Sequence, residues 1–422
     1  VKRELNWAGN VHYEASSIHY AHSLEEVREI VNSHPHVRAL GSRHSFSALA
    51  NTRGVLVSLR DVPHRVQINP EDRTATVSAG MTYGEVARDL NRDGWALHNM
   101  ASLPHITVAG ACATATHGSG TQNQCLSASI RAMEVVSPGG ALIFLTPDSD
   151  DERFTATQAG LGGMGIVTSL TLEIEPSYLI AQQVYLELPF DQFFREGDDI
   201  LASAYSVSLF SDFRHATFNQ AWRKARTTNE EPIEWPEWWF GARRCEVDVH
   251  PVPGASAAAA TPQRGEPGPW HERLSHFRLS HVPSHGQELQ SEYLIDRTHA
   301  AAALRSLLEI SEDISSVLLV SEVRAVARDA IWMSPAYERD AVAFHFTWRP
   351  EPELVAPVLS KIEQRLRDFD ARPHWGKIHR FSSAQLVRAY PRLESFQAER
   401  RRFDPSGVFS NQFLDDLEAD AT

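Results

Sequence analysis

The sequence predicts a two-domain α+β protein, on three observations. At 422 residues the chain exceeds what one hydrophobic core of ordinary size supports. Its first ~175 residues alternate short helix and strand signals. After Pro176 the pattern shifts to longer alternating strands, the mark of a second, antiparallel sheet with helices behind it. With 42% hydrophobic and 22% charged residues the chain is a folded globular protein. A formal net charge of −14 argues against a nucleic-acid partner, since no broad basic surface is available to neutralise phosphates.

In the first part, "HSLEEVREIVNS" opens with Ser23 and Glu26 as a capping box and sets Leu24, Val27, Ile30 and Val31 on one helical face. Strands are expected at Val37 to Leu40, at "GVLVSL" and at "RTATVSAG", where Ala75, Val77 and Ala79 alternate with polar residues. Thr82 and Glu85 form a second capping box, for a helix that stops near Gly94. "MEVVSPGGALIFL" reads as a hairpin, and "GLGGMGIVTSLTLEIEP" as a glycine turn feeding a strand that ends at Pro176.

In the second part, "YLIAQQVYLEL", "ASAYSVSLFSD", "SVLLVSEVRAVA" and "AVAFHFTWRP" read as strands, and "PELVAPVLSKIEQRLRDF" as a helix. Residues 250–270 form a Pro/Ala/Gly-rich excursion, expected to be a surface loop. Trp235, Trp238 and Trp239 of "EPIEWPEWWFGARRC" are expected in core or interdomain packing more than in a carbohydrate platform. The turn-rich tail "FDPSGVFSNQFL" should pack on a neighbouring surface.

Cys112, Cys125 and Cys245 show no ligand spacing and suit free thiols in a reducing compartment. His12, His36, His98, His105 and His250 are scattered, so no metal site is expected. "VKRELNWAGNVHY" lacks the apolar core of a signal peptide. No apolar run approaches the roughly 18 residues that span a bilayer. A cytoplasmic location without membrane attachment is the expectation.

Three glycine-rich or small-residue segments carry the chemical interest. "GSRHSF" follows a short strand, "NMASLPHITVAGACATATHGSGTQ" is rich in glycine, threonine and histidine, and "AGLGGMGIVTSL" precedes another strand. Such composition lets backbone approach a ligand closely and offers N–H and hydroxyl donors to a pyrophosphate. None is the G-x-G-x-x-G fingerprint at a first strand–helix turn, and no lysine-containing phosphate loop is present, which counts against a nicotinamide dehydrogenase. Read alone, His44 is an ordinary hydrogen-bonding loop histidine. In "SEVRAV", Glu322 and Arg324 share one strand face, with Val323 and Val326 expected on the other. In "AFHFTW", His345 and Thr347 share a face while Phe344, Phe346 and Trp348 take the opposite one. A surface ion pair would give the first pattern too, but two such strands side by side would make a polar wall.

"GSRHSF", "SLPHITVAGACATATHGSG" and "GLGGMGIVTSLTLEIEP" resemble the FAD-binding domain of the vanillyl-alcohol oxidase-type flavoproteins. "VSEVRAV", "AFHFTW", "RPHWGK" and "FDPSGVFSNQF" narrow the resemblance to the sugar-alcohol and aldonolactone oxidase branch. It covers nearly the whole chain, least well in the tryptophan-rich part and residues 250–270. It implies an FAD-binding domain over residues 1–176, a substrate domain over 177–377, and a C-terminal segment, 378–422, that returns to the first.

The resemblance makes His44 the covalent anchor of FAD, which is chemically reasonable for a neutral, nucleophilic imidazole. Gly41, Ser42, Arg43 and Ser45 would serve the FAD diphosphate. Ser102, Thr107, Gly110, Ala113, Thr114, His117 and Gly118 would line the same channel, joined by His374, with Ile166 beside the adenine. Glu322, Arg324, Ser102, Thr347, His345 and Lys377 would hold a polyol. Arg324 and Lys377 would favour the developing alkoxide, and Ala101 is small enough for oxygen to pass.

The implied reaction is oxidation of the terminal primary hydroxyl of alditols such as xylitol or sorbitol. Hydride would pass to flavin N5, and oxygen would be reduced to hydrogen peroxide. The expected partners are a small polyol and oxygen, with the protein a monomer. Two alternatives stay open: oxidation of gulono- or galactonolactone by an aldonolactone oxidase or dehydrogenase, and a carbohydrate-binding protein on a flavin scaffold without turnover.

Overall fold

A computed structural model describes residues 4–227, 233–281 and 288–419. The chain folds as a two-domain α+β protein. In the first part a parallel three-stranded sheet joins Ser17–Tyr20, Val55–Ser58 and Val37–Ala39. Beside it, Val66–Asn69, Thr74–Ser78, Ile166–Glu173, Ile130–Val136 and Leu142–Leu145 form an antiparallel five-stranded sheet. Alternation places Ala75 and Val77 in the core, as the sequence predicts.

The two capping boxes come out differently. Thr82 and Glu85 satisfy each other's backbone N–H at the start of the Tyr83–Arg92 helix. Ser23 accepts from the Glu26 N–H, but the Glu26 carboxylate takes the His22 N–H, so the box at Leu24–Ser33 is half formed. The Glu26 side chain reaches one residue beyond the cap.

Among the described residues, the second part is built on one ten-stranded sheet. Its central strands run in the order Leu179–Pro189, Thr217–Thr227, Ser206–Ser211, Leu318–Val326, Ala341–Trp348 and Leu289–Asp296, all antiparallel. One face is a hydrocarbon core, with Phe344, Phe346 and Trp348 packed against Val323, Leu304 and Leu359. The helices Phe190–Ala202, Ala300–Leu308 and Pro352–Leu366 supply its other side. Val326 corrects an expectation. It lies an even number of residues from Glu322 and Arg324, so it shares their face and packs with Leu294, Ala341 and Ala343.

The opposite, polar face of this sheet is turned toward the first part of the chain. Two connections fix that approach. Ser275 Oγ donates to the Ala101 carbonyl (2.9 Å), and the His276 N–H donates to the Ser102 carbonyl (3.0 Å). The Phe46 N–H donates to the Gly376 carbonyl (2.7 Å), and Ser47 Oγ to the Trp375 carbonyl (2.7 Å).

The tail packs on the first part: Asp404 caps the Val408 and Phe409 N–H groups, and Asn411 donates to the Leu49 and Asn51 carbonyls. Trp235 and Trp239 are buried under Arg223, while Trp238 is 60% exposed, on a two-residue edge strand whose alternation turns it outward. Glu231 and Pro232 of that segment lie outside the described residues. No helix among the described residues is long and apolar enough to cross a membrane.

Candidate active site

One cavity of about 460 Å³ runs between the glycine-rich loops of the first part and the polar face of the large sheet. On one side, Gly41, Ser42, Arg43, His44 and Ser45 line it, and Thr107, Gly110, Ala113 and Thr114 line it close by. The approach is close: a Cβ on Gly41 or Gly110 would stand 2.4 or 2.7 Å from Thr107 Oγ1. That hydroxyl is buried and has no hydrogen-bond partner. A cradle cleared of side chains and holding an unsatisfied donor fits a bound polar group such as a diphosphate.

Arg43 sits in the left-handed region (φ 62°). Its guanidinium is taken by Glu4 (2.6 Å) and the Tyr20 hydroxyl (2.6 Å), so what it can offer the cavity is backbone. Gly118 is not among the lining residues; it packs under Asn99 and Met100. Ile166 is fully buried in the core of the first part, and its neighbours Gly165 and Val167 line the cavity instead. Strand alternation explains the swap.

His44 stands over Trp7, with ring centroids 4.4 Å apart. No ring nitrogen of His44 has a hydrogen-bond partner among the described residues, unlike the expectation for an ordinary loop histidine. Burial, then Lys377 and His105, push its pKa down to about 3, so the ring is neutral and nucleophilic at pH 7.

On the other side the register assembles the polar wall. Glu322 lies opposite His345, and Val320 opposite Thr347. On the far side of that strand, Glu292 pairs with His345 and Gln290 with Thr347. Arg324 is the centre: Nη2 donates to Glu292 Oε1 (2.6 Å), Nη1 to Ser102 Oγ (3.1 Å), and Nε lies 3.5 Å from Glu322 Oε2. His345 Nε2 and Thr347 Oγ1 are 3.2 Å apart. Lys377 Nζ donates to Gln290 Oε1 and sits 4.8 Å over the Phe46 ring. Burial, offset in part by Glu292, pushes Lys377 down to about 8. His117 Nε2 lies 3.4 Å from Glu292 Oε1, and the His374 N–H donates to the Glu292 carbonyl (2.9 Å). Burial alone would raise the Glu322 and Glu292 pKa values, but Arg324 and the neighbouring histidines hold both carboxyls below their usual range.

Four residues at or beside this wall escape sequence reading: Gln290, Glu292 and His276, which line the cavity, and Lys224, which bonds to His276. Gln290 and Glu292 alternate along "LQSEYLID" as Glu322 and Arg324 do, a signal that was available. The excursion at 250–270 also departs from its expectation. His250, Pro251, Val252 and Ala255 line the cavity, and Trp270 is fully buried. Its proline and alanine content marks a turn-rich path, which says nothing about whether tertiary contacts cover it.

Residues 15–146 match the model of an FAD binding domain, and residues 284–417 that of D-arabinono-1,4-lactone oxidase. The chain is 44% identical to an alditol oxidase of a Streptomyces species over 98% of both chains. It is 27% identical to L-gulono-1,4-lactone dehydrogenase of Mycobacterium tuberculosis, and 25% to L-gulonolactone oxidase of Mus musculus, each over 97% of both chains. A cholesterol oxidase from B. sterolicum shares the fold, with a TM-score of 0.78 at 15% identity over 99% of this chain and 96% of that one. With an FAD-binding domain in its first part and a relative this similar along its whole length, the chain belongs to the alditol oxidase family of vanillyl-alcohol oxidase-type FAD-dependent oxidases.

Proposed function

We infer that the protein oxidises the terminal primary hydroxyl of a linear polyol such as xylitol or sorbitol, with FAD held covalently by His44 and oxygen as the final acceptor, giving hydrogen peroxide. The observation that carries this reading is the polar sheet face opposite the glycine cradle. It offers Ser102, Gln290, Glu322, Arg324, His345, Thr347 and Lys377 within one cavity. A polyol is a row of groups that both donate and accept. Such a wall binds it well and discriminates against analogues that lack the hydroxyls, because its buried polar atoms would then stay unpaired.

Bound FAD would supply the hydride acceptor and the route to oxygen. The chain's own residues do the rest. Glu322 and Thr347 orient hydroxyls along the chain of the substrate. Arg324, locked by two carboxylates and Ser102, presents a fixed positive charge where the reacting hydroxyl loses its proton. Lys377 adds a second cation in its protonated state. Gly41, Ser42, Ser45, Thr107, Gly110 and Thr114 would hold the diphosphate side, with His117 and His374 beside the ring end. The reading divides the chain at 176 and 377, with the C-terminal segment rejoining the FAD side, and has the protein act as a cytoplasmic monomer.

Two measurements test it. Acid precipitation should give a yellow pellet from the parent and a colourless one from His44→Ala; equal colour refutes the covalent assignment. Anaerobic xylitol should bleach the flavin. Bleaching by gulono- or galactonolactone alone would make the protein a lactone oxidase, and no bleaching by either would leave a binding scaffold.

A further inference from the structure

Lys224 and His276 stand beside Glu322 at the edge of the polar wall, and nothing in the proposed reaction uses them. Lys224 lies on the Thr217–Thr227 strand and is fully buried. Its Nζ donates to the Leu274 carbonyl, the Ser275 carbonyl (3.2 Å) and His276 Nδ1 (3.2 Å). Three donors are thereby used, and among the described residues no carboxylate pairs with the ammonium. The imidazole of His276 is gripped by Trp222 and Phe210, both edge-on, at centroid distances of 5.3 and 5.6 Å. Its Nε2 lies 2.7 Å from Glu322 Oε1.

These contacts have one consistent proton arrangement for a neutral ring. An amine that donates to Nδ1 requires a lone pair there, so the ring proton sits on Nε2 and points at the carboxylate. We propose that Lys224 and His276 are positioning residues for Glu322: Lys224 fixes the Nε2–H tautomer of His276, which clamps one Glu322 oxygen and leaves the other to Arg324 and a substrate hydroxyl.

Burial pushes His276 down to about 4, so the ring stays neutral in the working pH range. Without Lys224 the ring is free to move its proton to Nδ1, toward the 274 and 275 carbonyls. A lone pair on Nε2 would then face the Glu322 carboxylate, which must turn away or take up a proton itself. The groups that face Glu322 are His276, Arg324 on its own strand, His345 on the adjacent strand, and Lys224 and Lys377 at longer range. Below about pH 7, where Lys224 carries its proton, its loss removes a cation as well as the tautomer lock, and both changes make protonation of Glu322 easier.

The kinetic test rests on the polyol reading. Lys224→Met should raise KM for xylitol by ~10-fold or more, with a smaller change in kcat, and add an acid limb to kcat/KM that the parent lacks. His276→Gln places an amide donor near the Nε2 position without a tautomer to fix. In that background Lys224→Met should change KM less than ~2-fold. Equal effects in both backgrounds, or a flavin-loaded Lys224→Met enzyme with parental KM and pH profile, would overturn the proposal and show a merely structural lysine.

A second measurement needs neither substrate nor the lysine variant. In the parent holoenzyme labelled with 15N-histidine, the His276 resonances, assigned by their loss in His276→Gln, should show a protonated Nε2 and a bare Nδ1. The opposite tautomer, or an imidazolium, at pH 6, where Lys224 is charged and the ring neutral, sinks the relay and leaves the polyol reading untouched.

Discussion

Arg324 can serve as a rigid cation because Glu292 holds it from two strands away, across Ala341–Trp348. Glu292 Oε1 meets Arg324 Nη2 at 2.6 Å, and Oε2 lies 3.5 Å from His345 Nδ1, so one side chain orients two members of the wall. A guanidinium this buried, left with Glu322 alone, loses its better partner. Glu292→Gln keeps the shape and removes the charge. It should lower kcat/KM for the polyol by ~10–100-fold, or about 1.4–2.7 kcal/mol. Glu292→Leu should in addition destabilise the fold by on the order of 3–5 kcal/mol, because it strands a buried charge. Steady-state kinetics and denaturant unfolding measure the two effects separately, and an unchanged kcat/KM in Glu292→Gln would remove Glu292 from the machinery. Lys377 makes a different prediction. Its pKa of about 8 means that the cation is lost as pH rises through that value, so kcat should fall on the alkaline side. Lys377→Arg should move that fall upward, since guanidinium stays charged; a parental profile in that variant would rule Lys377 out as its source.

At the scale of elements, what could be read in the sequence was whatever carried its own period or cap. "VSEVRAV" and "AFHFTW" alternate cleanly, and their polar faces meet in register. The strand bearing Lys224 reads "TFNQAWRKART", where a buried lysine stands among the arginines at 223 and 226. Nothing local separates it from them; only the packing of 274–276 against that strand does. His276 sits in no periodic element at all, so its role follows from tertiary contact alone. A motif singled out His44, while the absence of a ring hydrogen-bond partner among the described residues needed coordinates. Capping boxes lie between these cases, because residue type suggests them and geometry decides. Thr82 and Glu85 close theirs, and the same turn carries the Tyr83 N–H to the Ile106 carbonyl, next to Thr107 in the cradle. Thr82→Ala should cost about 1 kcal/mol, read as a lower urea midpoint. Ser23→Ala, at the half-formed box, should cost less. A larger loss at Ser23 would reverse this ranking.

For the whole molecule, placing a charged site between two domains makes stability depend on pH in a direction that can be worked out. His276 and His374 are held neutral, with pKa values pushed down by burial to about 4 and about 3. The unfolded chain returns them to about 6.5. Between those limits the unfolded state binds more protons, so the stability they confer is present above pH 6.5 and drains as pH falls. Each costs up to about 1.4 kcal/mol per pH unit once the unfolded imidazole is protonated, or together about 3 kcal/mol between pH 6.5 and pH 5. Glu292 and Glu322, held low by Arg324 and the histidines, extend the same loss below the usual carboxylate range. Lys224 and Lys377 act in the same sense higher up. Burial pushes them down to about 7 and about 8, so the unfolded chain binds the extra protons until pH passes 10. Glu363 and Asp329, whose carboxyls burial raises, work against the trend in the acid range. Buried tyrosines reverse it in strong alkali: Tyr83, Tyr293 and Tyr390 are raised, so the unfolded chain ionises first above about pH 10. The urea midpoint of the holoenzyme should therefore climb from pH 5 through pH 7 to pH 9. His276→Gln should flatten the acid part of that climb and leave the alkaline part in place. A parent midpoint that peaks near pH 5 would show that these buried histidines carry their protons in the fold, and the electrostatics drawn for the site would fall with it.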